Sequence, residues 1–298
     1  GEDAGAVLIL GEIAETHHAA SHIRAAARAL QQAGKTKLCR IPQGANAVGL
    51  ARNGVLPAKR DVAGMFAEPR SAYVIYGIEP GLDFADCAAA QKALKAAKVV
   101  AFSHFACKST RNVADVILPI GALPEIEATL TNLDGIDQRT QAGGKLPGEA
   151  REGWKVLRAL GGELQLPAFE FTDLAGARAA GSATKPSSIA RSAAPVTATE
   201  GLEVAATAAI YRTDGVVRRA EALQAHPLNT APCITLNPAD AESAGLTQGA
   251  VAKVGSPDGT ATLPVLIDKS VAPGTAWIES GHGATAPLGA GRVTVVRA

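Results

Sequence analysis

The first half of this chain alternates short apolar runs with amphipathic stretches, and this alternation constrains the fold more than any other feature. Apolar runs with the length of strands lie at Ala6–Leu10, Thr36–Ile41, Ala72–Tyr76, Val99–Phe102 and Asp115–Leu118. Helical patterns separate these runs, and a strand–helix–strand order is typical of parallel strands joined by crossovers. We therefore expect an α/β domain over residues 1–165, with helices flanking a parallel sheet of buried strands.

Residues that start or stop helices indicate where the helices of this domain lie. Thr16–Ala33 has apolar side chains at helical spacing, and Gly34 follows as the left-handed stop. Asp83 is placed to cap the next helix, and Pro147–Gly161 predicts another. Between them, the polar segment Leu130–Arg139 predicts a loop or an edge hairpin.

The last third of the chain has the pattern of a small β domain. Residues 166–199 become rich in Gly, Ala, Ser, Thr and Pro, which predicts a flexible linker. Asn237 before a proline predicts a capped helix, with Gly245 as its stop. Ser256–Gly259 contains an Asp-Gly pair and predicts a hairpin turn. We expect a β-barrel domain over residues 200–298.

Charge and hydropathy exclude two classes of partner. The chain has 29 basic and 28 acidic side chains, and no basic cluster is larger than Arg218-Arg219. Nucleic-acid binding requires a basic face, so we expect no nucleic-acid partner. No apolar run approaches the ~18 residues of a membrane span, and no secretory signal is visible, so we expect no direct membrane insertion.

The cysteines are too far apart to form a metal cassette. No C-x-x-C spacing occurs among Cys39, Cys87, Cys107 and Cys233. Zinc ribbons and iron–sulfur clusters need clustered thiolates, so this segment is not expected to hold either. Phosphate-binding loops and nucleophile elbows are also absent from the sequence.

Two histidines suggest a metal site, although a simpler interpretation exists. His18 and His22 stand four residues apart, and Glu15 precedes them in the same segment. This spacing places both imidazoles on one helix face, where they are able to hold a metal or simply to be solvated.

Two further groups are candidates for chemistry. His104 follows a strand end, where open parallel sheets bind ligands, but an ordinary hydrogen bond explains a loop histidine equally. Glu125 and Glu127 point the same way in a predicted strand, as an acid/base pair or as two solvated carboxylates. The residues alone therefore predict no catalytic constellation.

Several motifs resemble the molybdopterin oxidoreductase superfamily in order and spacing. Thr110–Pro119, then Glu125 and the Thr129–Gly135 segment, is similar to its T-x-x-x-A-D-V-V-L-P…G-T-x-T-N-x-E-G-R-x-Q signature. Gly77-Ile-Glu-Pro80 and Pro147–Trp154 resemble a flanking turn and helix start. Leu236–Ala241, Ala244–Leu246 and Val271–Gly274 resemble the dinucleotide-binding barrel of that superfamily.

Within the superfamily, two passages resemble the large iron–sulfur subunit of bacterial NADH:quinone oxidoreductases, the respiratory complex I. They are Asn46–Gly49 with Gly54 and Pro57, and Asp214–Arg219 with Leu223-Gln224. The resemblance implies the C-terminal part of that subunit, peripheral on the cytoplasmic face of the inner membrane, with other peripheral-arm subunits as partners. Electron transport from NADH to quinone would belong to the whole complex, and the iron–sulfur clusters to parts of the parent chain outside this segment.

The pterin signature departs from the family pattern at two positions. Ala128 replaces a glycine, and Ile136 replaces an arginine. Backbone amides and cations hold a diphosphate, so both changes weaken such a site. The resemblance thus implies a vestigial site and no molybdopterin, metal or catalytic residue in this segment. If a pterin site survives, the candidate residues are Gly77, Glu79, Asn132, Gly135 and Asn237.

Structural roles are open for three of these candidates. Asn237 is explained by helix capping, and Asn132 and Gly135 by a turn. Two other functions also stay open: a fragment of a molybdenum or tungsten pterin oxidoreductase such as a formate dehydrogenase, and a stand-alone ligand-binding module without a redox role.

Overall fold

The structure, a computed structural model, describes residues 5–34, 36–57, 60–181, 200–289 and 291–298. Its strands are β1 (Ala6–Leu10), β2 (Thr36–Arg40), β3 (Ala72–Tyr76), β4 (Lys98–Ser103), β5 (Val116–Pro119), β6 (Ala128–Thr131), β7 (Asp137–Thr140), β8 (Leu202–Ala208), β9 (Ile234–Leu236), β10 (Val251–Gly255), β11 (Thr260–Ile267), β12 (Thr275–Ser280) and β13 (Arg292–Arg297). Its helices are α1 (Glu12–Thr16), α2 (Ala20–Gln32), α3 (Ala47–Arg52), α4 (Val62–Ala67), α5 (Cys87–Lys95), α6 (Lys108–Arg111), α7 (Gly153–Glu163), α8 (Leu174–Gly181), α9 (Glu221–Gln224) and α10 (Pro238–Ser243).

The residues cluster into two compact units. The first comprises Gly1–Pro42, Pro80–Gln91 and Arg191–Ala298, and the second comprises Gln43–Glu79 and Lys92–Ala190. The domain boundaries at residues 165 and 199 stay a prediction, and residues 182–199 of the predicted linker lie outside the described residues.

The second unit contains a parallel sheet in the order β3-β4-β5. Its two faces differ in burial. Ile75 and Ala101 are paired and buried on one face, whereas Val74 is 59% exposed on the other. The described residues therefore cover one face of this sheet more fully than the other. An antiparallel hairpin of β6 and β7 occupies part of Leu130–Arg139, which confirms the hairpin interpretation.

The first unit contains a parallel pair, β1 with β2. All five expected strands form, yet they belong to two sheets rather than one: β1-β2 here and β3-β4-β5 in the second unit. The expectation that Ala6–Leu10 is a buried strand was wrong for alternate residues, since Val7 is 60% and Ile9 58% exposed. Within the described residues β1 pairs with β2 alone, so only the face that carries Leu10 is covered.

The remaining strands of the first unit close into a barrel, in the order β10-β11-β9-β12-β8-β13 among the described residues. The predicted barrel is thus confirmed. Its interior is aliphatic, and Ile234, Leu236, Val254 and Val265 are fully buried. Burying such a side chain contributes roughly 1.5–3 kcal/mol, so this core supplies the main driving force for the fold of the barrel. The predicted hairpin forms between β10 and β11.

Four helix assignments differ from the prediction, and at three of them a side chain bonds the backbone locally. The predicted Thr16–Ala33 helix is interrupted after α1, where the Nδ1 atom of His17 accepts a hydrogen bond from the Ala19 N–H at 3.1 Å. Asp86, rather than Asp83, caps α5 by accepting from the Ala89 N–H at 2.7 Å.

The other two differences lie near the predicted linker. The predicted Pro147–Gly161 helix begins only at Gly153 and continues to Glu163. Helix α8 lies within the predicted linker of residues 166–199, and Asp173 accepts a hydrogen bond from the Gly176 N–H at 2.7 Å in its first turn. No helix in the described part of the chain combines the length and apolar composition needed to cross a membrane.

Candidate functional site

The carboxyl ends of β3, β4 and β5 meet at one edge of the second unit's sheet, where ligands bind in this class of fold. Gly77 follows β3 in the left-handed region (φ +66°), and its N–H donates to the Phe102 carbonyl at 2.8 Å. The Ile120 N–H donates to the Ser103 carbonyl at 3.1 Å. These bonds extend the ladders and bring the three following loops together.

His104 packs onto the glycine turn at this edge. A Cβ atom on Gly77 would lie 3.2 Å from the His104 Nε2 atom, closer than most real contacts. The His104 Nδ1 atom lies 3.4 Å from the Ile120 carbonyl oxygen. Gly77 is therefore required both for its backbone conformation and for the room that it leaves to the imidazole. The predicted edge position of His104 is confirmed, while a role in chemistry stays a prediction.

Cys107, at the start of α6, was not singled out from the sequence. Its Sγ atom lies 3.2 Å from the Ser109 Oγ atom and 3.1 Å from the Thr110 Oγ1 atom. Burial raises the pKa of this thiol, but the hydrogen bonds from Ser109 and Thr110 outweigh burial and hold the pKa below its usual 9.0. The signal in the sequence was the Cys-x-Ser-Thr order, in which two hydroxyls follow within one turn.

Glu79, also among the predicted pterin residues, is buried beside this thiol, with only 5% of its surface exposed. Its charge raises the pKa of Cys107 slightly, against the hydroxyls. The edge of the sheet thus brings Gly77, Glu79, His104 and Cys107 into the second unit, and the last three of them carry polar side chains.

Asn132 and Gly135 lie elsewhere, in the turn of the β6–β7 hairpin. The Asn132 Oδ1 atom accepts from the Ile136 N–H at 2.9 Å, and the Gly135 N–H donates to the Asn132 carbonyl at 3.0 Å. Gly135 has a φ of +80°, which a side chain would strain. Both residues therefore shape this turn, as the structural alternative predicted.

Arg52, the last residue of α3, covers this turn. Its Nη1 atom donates to the Gly135 carbonyl at 2.6 Å and lies 3.8 Å from the Asp137 carboxylate. A Cβ atom on Gly135 would collide with the Arg52 Nη2 atom. Asn46 ties the same helix to the hairpin, because its Oδ1 atom accepts from the Thr131 N–H at 2.8 Å. The guanidinium thus lies against Gly135, where a Cβ atom would project.

Asn237, the fifth candidate, lies in the first unit as the cap of α10. Its Oδ1 atom accepts from the Ala239 N–H at 3.0 Å, and its Nδ2 atom donates to the Val271 carbonyl at 2.8 Å. The capping prediction is confirmed. Asn237 therefore has a structural role at this cap, and a role in a pterin site stays a prediction.

The structure also bears on the two groups for which the sequence left a chemical and a simpler interpretation open. Glu15 does not face His18 and His22, because it accepts hydrogen bonds from Arg24 at 3.0 Å and Arg40 at 2.7 Å. A different group, His17, His18 and Glu203, brings its potential ligand atoms within 4.8 Å of one another.

The predicted glutamate pair is also separated. Glu125 lies in a 3-10 helix rather than a strand, and its Oε2 atom accepts from the Ala122 N–H at 2.8 Å. Glu127 pairs with Arg178 at 3.0 Å. Each carboxylate therefore has its own structural partner, which favours the alternative of two separate carboxylates over an acid/base pair.

Comparison with known proteins agrees with this fold. The chain matches the profile of the molybdopterin oxidoreductase family over residues 2–163 and that of the molybdopterin dinucleotide binding domain over residues 207–296. Its structure resembles acetylene hydratase from Pelobacter acetylenicus with a TM-score of 0.57, at 15% identity, over 85% of this chain and 51% of that one.

Curated relatives match over shorter stretches. The chain is 46% identical over 65 residues to the NADH-ubiquinone oxidoreductase 75 kDa subunit of Reclinomonas americana, and 51% identical over 47 residues to the mitochondrial 78 kDa subunit of Candida albicans. These alignments span 21% and 16% of this chain but only 9% and 6% of the relatives. The predicted resemblance is thereby confirmed, and the first profile alone covers more than half of the sequence. The chain belongs to the molybdopterin oxidoreductase family.

Proposed function

We propose that the chain is the C-terminal scaffold region of the large iron–sulfur subunit of a NADH:quinone oxidoreductase. In this role it supports electron transfer from NADH to quinone without carrying a redox centre of its own. The partial matches to the 75 and 78 kDa subunits support the proposal, as do the motifs around Asn46 and Asp214 that resemble the bacterial subunit. Its partners are other subunits of the peripheral arm, on the cytoplasmic face of the bacterial inner membrane.

A vestigial pterin site is part of the proposal, and the contact between Arg52 and Gly135 carries it. In a cofactor site, cations and free backbone amides would face the diphosphate. Here the Arg52 guanidinium donates to the Gly135 carbonyl of the hairpin at 2.6 Å. The Asn132 Oδ1 atom accepts from the Ile136 N–H, and the Asn237 amide bonds the backbone of Ala239 and Val271. We infer that the fold was retained and that the hairpin became a packing surface for α3.

Purification of the parent polypeptide tests the complex membership directly. A C-terminal affinity tag on the full-length parent chain should retrieve, from detergent-solubilised membranes, an assembly that oxidises NADH with a quinone acceptor. Mass spectrometry of that assembly should find the parent chain in equal amount with flavin-bearing and iron–sulfur subunits. Recovery of the parent chain alone, without NADH oxidation, would favour a stand-alone ligand-binding module.

The competing candidate is a fragment of a molybdenum or tungsten pterin oxidoreductase. The match to the dinucleotide binding domain over residues 207–296 favours it, as does the group of Gly77, Glu79, His104 and Cys107 at the sheet edge. Under this alternative the purified parent would reduce or oxidise a substrate with an artificial electron carrier in the absence of NADH. Under the proposal made here it would not.

A further inference from the structure

The break between α1 and α2 places two consecutive histidines beside the barrel. The Thr16 Oγ1 atom lies 3.4 Å from the Ala206 carbonyl oxygen, and the Glu12 Oε1 atom accepts from the Ala208 N–H at 2.9 Å. Helix α1 is therefore anchored along β8 by its own side chains. The chain then turns at His17 and His18, next to the strand that carries Glu203.

The three side chains converge at this turn. The His17 Nε2 atom lies 2.7 Å from the Glu203 Oε1 atom, and the two imidazole centroids lie 4.2 Å apart. One potential ligand atom from each of His17, His18 and Glu203 falls within 4.8 Å of the others. Ligands at about 2.0–2.2 Å from a tetrahedral ion stand roughly 3.3–3.6 Å apart, so side-chain adjustments of less than two ångströms form the site.

We propose that His17, His18 and Glu203 bind one Zn²⁺ ion, with the fourth position open to water. Two imidazoles and one carboxylate form a ligand set that zinc uses in proteins, and three protein ligands leave the usual open position. His18 is exposed and Glu203 is partly exposed, so the ion has a path from solvent. Bound zinc would cross-link the α1–α2 turn to β8 of the barrel.

Two neighbouring interactions limit the affinity. Because the Ala19 N–H donates to the His17 Nδ1 atom, the Nε2 atom carries the proton in the metal-free protein and donates it to Glu203. Zinc on Nε2 requires that proton to move to Nδ1, which ends the bond from Ala19. The Arg292 Nη1 atom also lies 3.7 Å from the Glu203 Oε2 atom and competes for the carboxylate. We therefore expect micromolar rather than nanomolar binding.

Zinc titration of the full 298-residue chain by calorimetry tests this proposal. Cys39 is an exposed thiol, so a Cys39→Ser background removes a competing ligand. In that background we expect one zinc ion per chain, and at least about tenfold weaker binding in His18→Asn and Glu203→Gln. His22→Asn is the matched control, because His22 lies on α2 and belongs to the metal pair suggested by sequence spacing alone. Its affinity should be unchanged.

Cobalt provides a second readout that does not depend on affinity. Co²⁺ bound to the same chain should give a visible absorption band of four- or five-coordinate nitrogen and oxygen ligands, without a thiolate charge-transfer band. The band should be lost in His18→Asn and kept in His22→Asn, with each variant checked for folding by circular dichroism. Equal zinc affinity in all variants, loss in His22→Asn, a thiolate band in the Cys39→Ser background or the absence of stoichiometric binding would overturn the proposal.

Discussion

Arg52 donates a hydrogen bond to the carbonyl of Gly135, and its guanidinium covers the glycine where a Cβ atom would project. This contact joins helix α3 to the β6–β7 hairpin across 83 residues of sequence. The Arg52 guanidinium thus binds the protein's own backbone, in the turn where the family signature predicts the cofactor-binding residues Asn132 and Gly135.

Substitution of Gly135 measures how much the hairpin depends on this arrangement. Gly135→Ala should lower the free energy of unfolding by about 1–2 kcal/mol through left-handed strain. Displacement of the Arg52 hydrogen bond should add about 1 kcal/mol. Gly44→Ala is the matched control, because Gly44 lies in the same unit with a φ of +86° and open space around it.

Urea denaturation of both variants, alone and in an Arg52→Ala background, separates the two effects. In the Arg52→Ala background, Gly135→Ala and Gly44→Ala should lower the free energy of unfolding by the same amount. If Gly135→Ala were already equal to Gly44→Ala with Arg52 present, the guanidinium would not depend on the empty space at Gly135.

Asn237 gives a second test, since its two bonds are chemically separable. Asn237→Ala removes both the cap on Ala239 and the donation to Val271, and should cost about 1–2 kcal/mol. Asn237→Asp keeps an oxygen for the cap and loses the donor, so its free energy of unfolding should fall between those of Asn237→Ala and the natural chain. Chemical denaturation followed by circular dichroism provides both values, and a wild-type stability in Asn237→Ala would contradict the capping account.

These positions show which parts of the structure local sequence predicts. The Asn-Pro cap of α10 and the Asp-Gly hairpin were predictable, because the interacting groups lie within a few residues of each other. The contact of Arg52 with Gly135 spans 83 residues, and the hydrogen bond of Glu15 with Arg40 spans 25, so no local pattern indicates either. The family resemblance identified the glycine of the turn but not the cation that covers it.

The same reasoning applies to His18 and His22, whose spacing left open both a metal site and a solvated helix face. Helical spacing places His18 and His22 on one face only if the helix is continuous. The helix is interrupted at His17, where the Ala19 N–H donates to the imidazole and the same imidazole lies beside Glu203.

The ionisation of Glu15 should make the free energy of unfolding fall as the pH falls. The hydrogen bond from Arg40 is the largest effect and lowers the pKa of Glu15 below its usual 4.5, with Arg24 acting the same way. A lowered folded-state pKa contributes stability that is complete above the unfolded value and is lost as pH falls from 4.5 through the folded value. Only 7% of the Glu15 side chain is exposed, so the effect is measurable.

Glu15→Gln should therefore lower the free energy of unfolding by about 1–3 kcal/mol at neutral pH. The difference from the natural chain should shrink as pH falls below 4.5, where the natural carboxylate becomes protonated. Urea titrations over this pH range measure both curves, and a difference that is independent of pH would show that folding does not lower the pKa of Glu15.

The thiol of Cys107 provides a test at the sheet edge. Ser109→Ala removes one of the hydroxyls that lower its pKa, so the pH midpoint of its alkylation rate should rise. Peptide-resolved mass spectrometry follows Cys107 and the exposed Cys39 in one sample, and the Cys39 profile should be unchanged. An unaltered Cys107 midpoint would show that Ser109 does not stabilise the thiolate.

Replacing one residue of the buried ion pair in the barrel unit should lower the free energy of unfolding more than replacing both residues does. Arg212 and Glu279 are 8% and 9% exposed, and Arg212 also donates to the Thr230 carbonyl at 2.7 Å. Arg212→Met leaves a buried carboxylate unpaired and should cost about 3–5 kcal/mol. The double variant with Glu279→Leu should be more stable than Arg212→Met in urea denaturation. A double variant less stable than both single ones would contradict this account.

The central claim is that this chain retains a pterin-enzyme fold whose cofactor site has become protein packing. Elemental analysis of the natively purified parent protein for molybdenum and tungsten, with fluorescence detection of released pterin, tests it most directly. We predict that neither metal approaches one atom per chain and that no pterin is released on denaturation. Stoichiometric molybdenum or tungsten together with an extractable pterin dinucleotide would contradict the claim.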